Sequence, residues 1–379
     1  MTKQTRSIIL AVCAVLFFII TPYILLYSLG YRIDVKNFTI VGTGGIYVKA
    51  LPQGADIAID SKLHTTTGFL TPSAFEQNLL PGPHTIFITK NGYYDYQKTL
   101  DIKENQVTKL EHIALIKKNI VFDVIKDPKQ NPFIKLPAPD VYIIRSNALY
   151  YANITANSNL TQLQKNTPVI KNIVAYQAAN NSITWVGQNG FLYKSDANGK
   201  NTQTLSQTSL KISTNVYKLV LFNQYIFLQN GSKVMLFDQE KKSFQDFYSP
   251  VKELKISPNG QKILYYNDHE ILYSDTTLNT TNPVFLNRFS GQIKNVFWLN
   301  DDYVIFQLDN AIVISEIDVR GNINEVTLPG AITLSNGDPS NPSGQAKMDI
   351  INPQIIFDQQ DRKLYILTQG TLLSSEKLP

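Results

Sequence analysis

The sequence predicts an all-β protein carried on one amino-terminal transmembrane helix. Three observations carry this reading. Residues Ile8 to Leu29 form a run of 22 without a charge, the body is rich in Tyr (20), Phe (19), Thr, Val and Ile, and a hairpin pattern recurs along the carboxyl-terminal two thirds. β-branched and aromatic residues suit a pleated, half-buried surface, and the Gly, Pro, Asn and Asp between them supply turns. A chain of 379 residues is long enough for two body domains beyond the helix.

The balance of charge excludes some classes of function. The net charge of +5 is spread along the chain, with no dense Lys/Arg stripe to track a phosphate backbone, so no nucleic-acid partner is expected. Cys13 is the single cysteine and lies inside the apolar run. The body therefore has no disulfide framework, no thiolate zinc cluster and no cysteine nucleophile. Cysteine-free sequence is compatible with an oxidising compartment.

The amino-terminal run is long enough to span. At ~1.5 Å per residue, 22 residues make a helix of about 33 Å against a hydrocarbon core of ~30 Å. Fourteen of the 22 are Leu, Ile, Val or Phe, each contributing about −0.3 to −0.6 kcal/mol near a helix centre. Pro22 is tolerated in a spanning helix, and Tyr23, Tyr27 and Tyr31 gather at the far end as interfacial aromatics do. Residues 1–7 are then a cytoplasmic tail and 8–29 the span. A cleaved signal peptide is the competing reading, with Ser28 and Gly30 spaced like a cleavage site, but its apolar core would exceed the usual ~7–15 residues. A lipoprotein signal at Cys13 is excluded because Val12 is not small and the apolar run continues. Lys3 and Arg6 precede the span while Arg32 and Lys36 follow it, so the positive-inside rule decides little. The amino terminus is placed in the cytoplasm and the bulk outside it because the folded mass lies on one side.

From about 38 to 116 the pattern changes to short strands separated by Gly/Pro turns. GGIYVKAL alternates, with Ile46 and Val48 on one face and Tyr47 and Lys49 on the other. DIAID, HTIFITK, YQKTLDI and VTKLEHIAL follow in the same manner, broken by PQGA, FLTP, LPGPH and KNGYY. About five strands in this length predict a small antiparallel sandwich. Gly42, Gly44 and Gly45 faintly resemble a nucleotide loop, but Tyr47 stands where that pattern needs its last glycine and no helix follows, so they are read as a strand-entry turn. His64, His84 and His112 share no ligand spacing and have no carboxylate cluster, so no metal site is expected.

The order of these pieces resembles the PEGA domain, a small bacterial β-domain of envelope and surface proteins. Pro52-Gln53-Gly54-Ala55 stands at its signature with Gln in place of Glu, followed by Ile57 and Ile59, Thr71-Pro72, Leu80-Pro81-Gly82 with His84, and Lys90, Gly92 and Tyr93. The loop carrying Gly68-Phe69-Leu70 is longer than the family's. The resemblance implies a binding or spacer module rather than a catalyst.

Residues 117–379 repeat a hairpin six times: YIIRSNALYYAN, ITWVGQNGFLYKSD, YIFLQNGSKVMLFD, ILYYNDHEILYSD, YVIFQLDNAIVISE and LYILTQGTLLSSE. With Leu149, Leu192, Met235, Leu272, Val313 and Leu372 as equivalents, the spacings are 43, 43, 37, 41 and 59. A period near ~40 is that of a four-stranded propeller blade, so a β-propeller of about six blades is expected. The long last interval, about 329–349, is rich in Gly, Pro, Ser and Asn and reads as a flexible loop. The final blade lacks an outer strand, and residues 119–126 (NIVFDVIK) are expected to supply it, because an open ring exposes strand edges. The stretch Leu254 to Tyr265 resembles the Ser-Pro-Asp-Gly turn of TolB-type and WD-like repeats, with Asn259 for the Asp.

No Gly-x-Ser-x-Gly elbow, His-Glu-x-x-His, calcium loop or Walker loop is present, and His269 is the only histidine of the repeat region. Asp301-Asp302 reads as a solvated hairpin tip, and Trp185 and Trp298 read as core. No catalytic, metal or cofactor-binding residue is assigned, and no ligand-binding residue is named. The expectation is a membrane-anchored interaction protein of the cell envelope, not an enzyme. Its membrane contact runs through Ile8 to Leu29, and its partners would be an envelope protein or a cell-wall glycan. An envelope lyase or hydrolase using channel-lining acids, and a spacer without ligand, are the alternatives.

Overall fold

The computed structural model describes residues 3–34, 38–67, 73–127, 131–134, 142–153, 162–163, 167–179, 181–276, 282–335 and 346–379. Helix α1 (Lys3–Ser28) starts five residues before the apolar run, so most of the expected tail is helical. The charge-free stretch sets where a span can lie, whereas backbone hydrogen bonding carries the helix on through Lys3 and Arg6. The helix is long and apolar enough to cross a membrane, and none of its apolar window is buried. Strands β1 (Tyr31–Asp34) and β2 (Thr39–Gly42) follow as an antiparallel hairpin forming a sheet of its own.

The small domain contains β3 (Gly44–Leu51), β4 (Asp56–Ile59), β5 (Lys62–Thr66), β6 (Ser73–Leu79), β7 (Gly82–Thr89), β8 (Tyr96–Ile102) and β9 (Val107–Ala114). They form two facing sheets, β6-β3-β9 and β5-β4-β7-β8. The core is the set of alternating side chains that strand pleating turns inward: Ile46, Val48 and Ala50 of β3, Ile57 and Ile59 of β4, and Ile86 and Ile88 of β7. Two features depart from the expected five-stranded antiparallel sandwich. β5 and β6 are additional strands, and β9 runs parallel to β3.

β10 (Val121–Val124) leads into a ring of six sheets. Blades 2 to 5 each have four antiparallel strands in chain order, at 173–204, 217–248, 253–288 and 293–327. The first strand of each is innermost. Blade 1 shows strands Tyr142–Arg145, Ala148–Asn153, Gln162–Leu163 and Ile170–Lys171 among the described residues. All six aligned apolar positions are buried: Leu192, Met235, Leu272, Val313 and Leu372 on the third strand of their blades, and Leu149 on the second described strand of blade 1.

Blade 6 is built from Gln354–Asp358, Lys363–Thr368 and Thr371–Lys377, and β10 completes it. Phe122 lies opposite Ser375, Asp123 opposite Ser374 and Val124 opposite Leu373, antiparallel. The segment before the first blade thus closes the ring by covering an edge that would otherwise be unpaired. The expected flexible loop at 329–349 is corrected at both ends. Ala331–Leu334 and Lys347–Asp349 pair with each other, and the former adds to β10 in parallel, because Ile332 packs into the blade core and Met348 packs against it. Its middle, 336–345, lies outside the described residues.

Neighbouring blades are stitched by buried side-chain amides. Gln229 Nε2 donates to the carbonyls of Val251 and Lys252, and Gln307 Nε2 donates to the Pro353 carbonyl at 2.7 Å. At the Ser-Pro-Asn-Gly turn, Ser257 Oγ accepts from Lys262 N and Gly260 takes a left-handed φ of 66°.

Phe122 is almost fully buried in the closing strand. Phe122→Ala is expected to cost about 3–5 kcal/mol, read as a lowered urea midpoint of the propeller transition. An unchanged midpoint would mean that the ring does not depend on this closure.

Candidate functional site

The two domains meet through a buried charge. In β8 the inward row reads Tyr96, Lys98, Leu100, Ile102, and Lys98 is 0% exposed in the position of a core residue. Its ammonium donates to Glu316 Oε1 at 2.6 Å and to the carbonyls of Asp318 (2.8 Å) and Asn322 (2.9 Å), which uses all three protons. Glu316 ends the third strand of blade 5. Its Oε2 accepts from Tyr96 OH at 2.8 Å, and its Oε1 also accepts from Asn324 N and Nδ2 at 2.9 Å. Burial, reinforced by the Glu316 charge, pushes the Tyr96 phenol far above its ordinary value, so it stays a donor.

The loop that follows, 317–324, fills the open side of the small domain. Thr99 N donates to Asn322 Oδ1 at 2.9 Å, Asn322 Nδ2 donates to Gln97 O at 2.7 Å, and Gln97 N donates to Asn324 Oδ1 at 3.1 Å. Two asparagine side chains therefore satisfy the β8 edge as a neighbouring strand would. Arg320 Nη2 donates to Lys109 O of β9 at 3.0 Å, and Asp318 holds its guanidinium by three contacts between 2.7 and 3.2 Å. Burial works to raise the Asp318 carboxyl, but the bonds from Arg320 and the charge of Lys98 outweigh it and leave it below the usual range. Gly321, at φ 63°, lies so close to β8 that a Cβ would sit 2.0 Å from Thr99 O.

Two clefts flank this seam. The larger, about 860 Å³, has Leu51, Pro52, Tyr93 and Ile116 from the small-domain side, and Leu299 and Leu378 from the propeller, with Lys117 and Arg362 at the polar margin. The smaller, about 390 Å³, is lined by Lys109, His112, Lys262, Tyr273, Asp302 and Arg320, among others. His112, Ile113 and Asp302 belong to both, so the clefts are contiguous. Tyr303 OH accepts from Ala114 N at 3.2 Å, and Lys117 pairs with Glu376 across the same boundary. On the innermost strands, Glu253 lies 3.3 Å from Lys255 and 3.9 Å from Lys218, and the Lys255 ammonium sits 3.7 Å from the Phe297 ring centroid. Desolvation lowers the Lys255 pKa against the opposing pull of Glu253.

The histidines stay apart. His84 Nδ1 lies 2.5 Å from Asp60 Oδ2 and its Nε2 2.7 Å from Leu80 O, while His112 faces the clefts. The His64 side chain lies outside the described residues. Among those residues no His/Cys/Asp/Glu group has metal-binding geometry. Trp298 and Trp185 are buried, as expected of core residues, and Trp298 Nε1 donates to Lys255 O at 3.0 Å. Asp301-Asp302 lies at a part-exposed hairpin tip that is held to blade 4. Asn259 N donates to Asp301 Oδ1 at 2.8 Å, Lys262 Nζ donates to Asp301 O, and both acids line the larger cleft because a blade-4 turn packs beneath them. Sequence reasoning missed Lys98, Glu316, Asn322 and Asn324. The available signal was Lys98 itself, a lysine in an otherwise apolar alternating row.

Residues 43–115 match the PEGA domain family. β3 to β9 are that PEGA domain, and the seam joins it to the propeller. Two solved β-propeller proteins match much of the chain at low identity. YCF48 from Cyanidioschyzon merolae has 11% identity over 88% of this chain and 98% of that chain, with a TM-score of 0.36. Kluyveromyces lactis Hsv2p has 12% identity over 66% and 72%, with a TM-score of 0.38. No curated protein sequence matches the chain. A PEGA domain beside a propeller fits a binding or interaction module.

Lys98→Ala would leave the Glu316 carboxylate buried without its cation, a loss of about 3–5 kcal/mol. Urea unfolding of the full chain in detergent is expected to show this as a lower midpoint. Lys98→Met combined with Glu316→Leu recovers part of it, since both buried charges are then gone. An unaffected single variant would mean the seam is solvated in solution.

Proposed function

We propose that this chain is a membrane-anchored, extracytoplasmic binding protein of the cell envelope, working by docking a partner and not by catalysis. The helix holds it at the membrane, the PEGA domain stands as a stalk, and the propeller presents the binding surface. The observation that carries this reading is the 860 Å³ cleft, whose walls come from both domains while a buried ion pair holds those domains in register. Preformed walls lower the ordering cost of binding. The leucine, proline and tyrosine floor, with a margin of mixed charge from Lys117, Arg362, Asp301 and Asp302, suits a protein segment or a glycan. Lys255, whose pKa burial lowers, is already engaged by Glu253 and covered by Phe297, which speaks against its use as a free nucleophile.

Replacing Gln359, which lines the cleft, with a benzophenone amino acid tests this in intact cells. Val216, 86% exposed on the propeller, is the control. Illumination is expected to give an adduct from position 359 and not from 216. Loss of the adduct to added protease marks it as exposed outside the cell, and a shift on glycan hydrolysis marks a glycan partner. Absence of any adduct at 359, or fractionation of the chain with cytoplasmic proteins, would contradict the proposal.

A further inference from the structure

The β1–β2 hairpin stands apart from the sheets of the PEGA domain. It is a two-stranded sheet that pairs with neither PEGA sheet, and such a hairpin is marginal in water unless one face packs on something. The register sets Ile33 opposite Ile40 and Tyr31 opposite Gly42, so Tyr31, Ile33 and Ile40 share one face. That face is open: Ile33 is 51% and Ile40 56% exposed, and Phe38, beside β2, is 85% exposed. The opposite row is Arg32, Asp34, Thr39 and Val41.

Its position decides what covers the face. β1 begins three residues after Ser28 ends the helix, and Gly30 O accepts from both Thr43 N (2.9 Å) and Thr43 Oγ1 (2.7 Å), which pins both hairpin ends beside the helix terminus. Arg32 lies over the Tyr27 ring at 3.5 Å and donates to the carbonyls of Tyr27 and Tyr31. Leu29 and Gly30 close a turn on the helix end, Leu29 N donating to Leu25 O and Gly30 N to Tyr27 O, so β1 starts where the apolar run stops, at the headgroup layer that lies beyond a ~30 Å hydrocarbon core. A second copy would also cover apolar side chains, but only the bilayer is necessarily at this place when the helix spans it.

We propose that the hairpin is a membrane-interface foot: Tyr31, Ile33, Phe38 and Ile40 lie in the headgroup and upper acyl region of the leaflet facing the folded body. Seated there, the apolar face leaves water as the face of an interfacial amphipathic helix does. The PEGA domain is then braced against the bilayer instead of swinging from a single point. Asn105 N, donating to Thr43 O at 3.0 Å, carries the constraint from the hairpin's end into the β8–β9 turn. The proposal rests on the helix being a retained span.

The full chain reconstituted in phosphatidylcholine vesicles provides the test, with lipids brominated near the top of the acyl chain as quencher. Phe38→Trp is compared with Tyr23→Trp in the helix and Val216→Trp on the propeller. The buried Trp185 and Trp298 supply a constant background. The introduced indoles at 38 and 23 are expected to lose emission in brominated vesicles, with a blue-shifted maximum at 38, while the indole at 216 is unaffected. Quenching at 23 without quenching at 38 would overturn the hairpin proposal and leave the anchor standing. A blue shift at 38 without quenching would also overturn it, in favour of contact with a second copy. No quenching at either position would remove the spanning helix and the proposal with it.

Discussion

A lysine ammonium taken wholly out of water organises this molecule. Desolvating such an ion costs several kcal/mol even after relaxation, and the cost is offset only where every proton and lone pair finds a partner. Lys98 meets that condition with Glu316 and two carbonyls, none of which belongs to its own domain. The PEGA domain cannot bury Lys98 alone, and blade 5 cannot bury Glu316 alone. Each domain's outer surface is therefore complete only in contact with the other. The asparagines on the β8 edge and Arg320 on β9 follow from the same loop being held there.

Ring closure adds a second constraint from a different direction. The chain leaves the PEGA domain at Ala114 and within a few residues becomes β10, the outer strand of the last blade. Ile116 and Ile120 of that short connection are buried with Phe122 in the blade-6 core. The link between the domains is thus also a piece of propeller, and it is fixed at one end by the seam and at the other by strand pairing. A swinging linker would need several exposed, unpaired residues here. The clefts on either side of the seam inherit their shape from these two attachments.

Much of the fold was legible because it repeats. A ~40-residue period is visible when one apolar position per blade can be aligned, and all six aligned residues proved buried. The missing outer strand was legible for the same reason: the last repeat ended early, and Val121–Val124 carried the only unassigned strand pattern nearby. β6 was not legible, since only Ala74 of Ser73–Leu79 is buried and the rest shows no alternation. The parallel β3–β9 pairing was hidden because alternation fixes which side chains face inward and says nothing of strand direction. The site was least legible of all. Glu316 lies 218 residues from Lys98, and neither residue's local pattern names the other.

Held by the seam and by the closing strand, the PEGA domain and propeller should move as one rigid body, which a distance distribution between them reports. With Cys13 replaced by alanine, spin labels at Glu104 in the PEGA domain and Gln239 on blade 3 would be measured by double electron–electron resonance in the full chain. One narrow distance is expected for the wild-type seam and a broadened distribution when Lys98 is replaced by alanine. A broad distribution in the wild type, unchanged by the substitution, would contradict it.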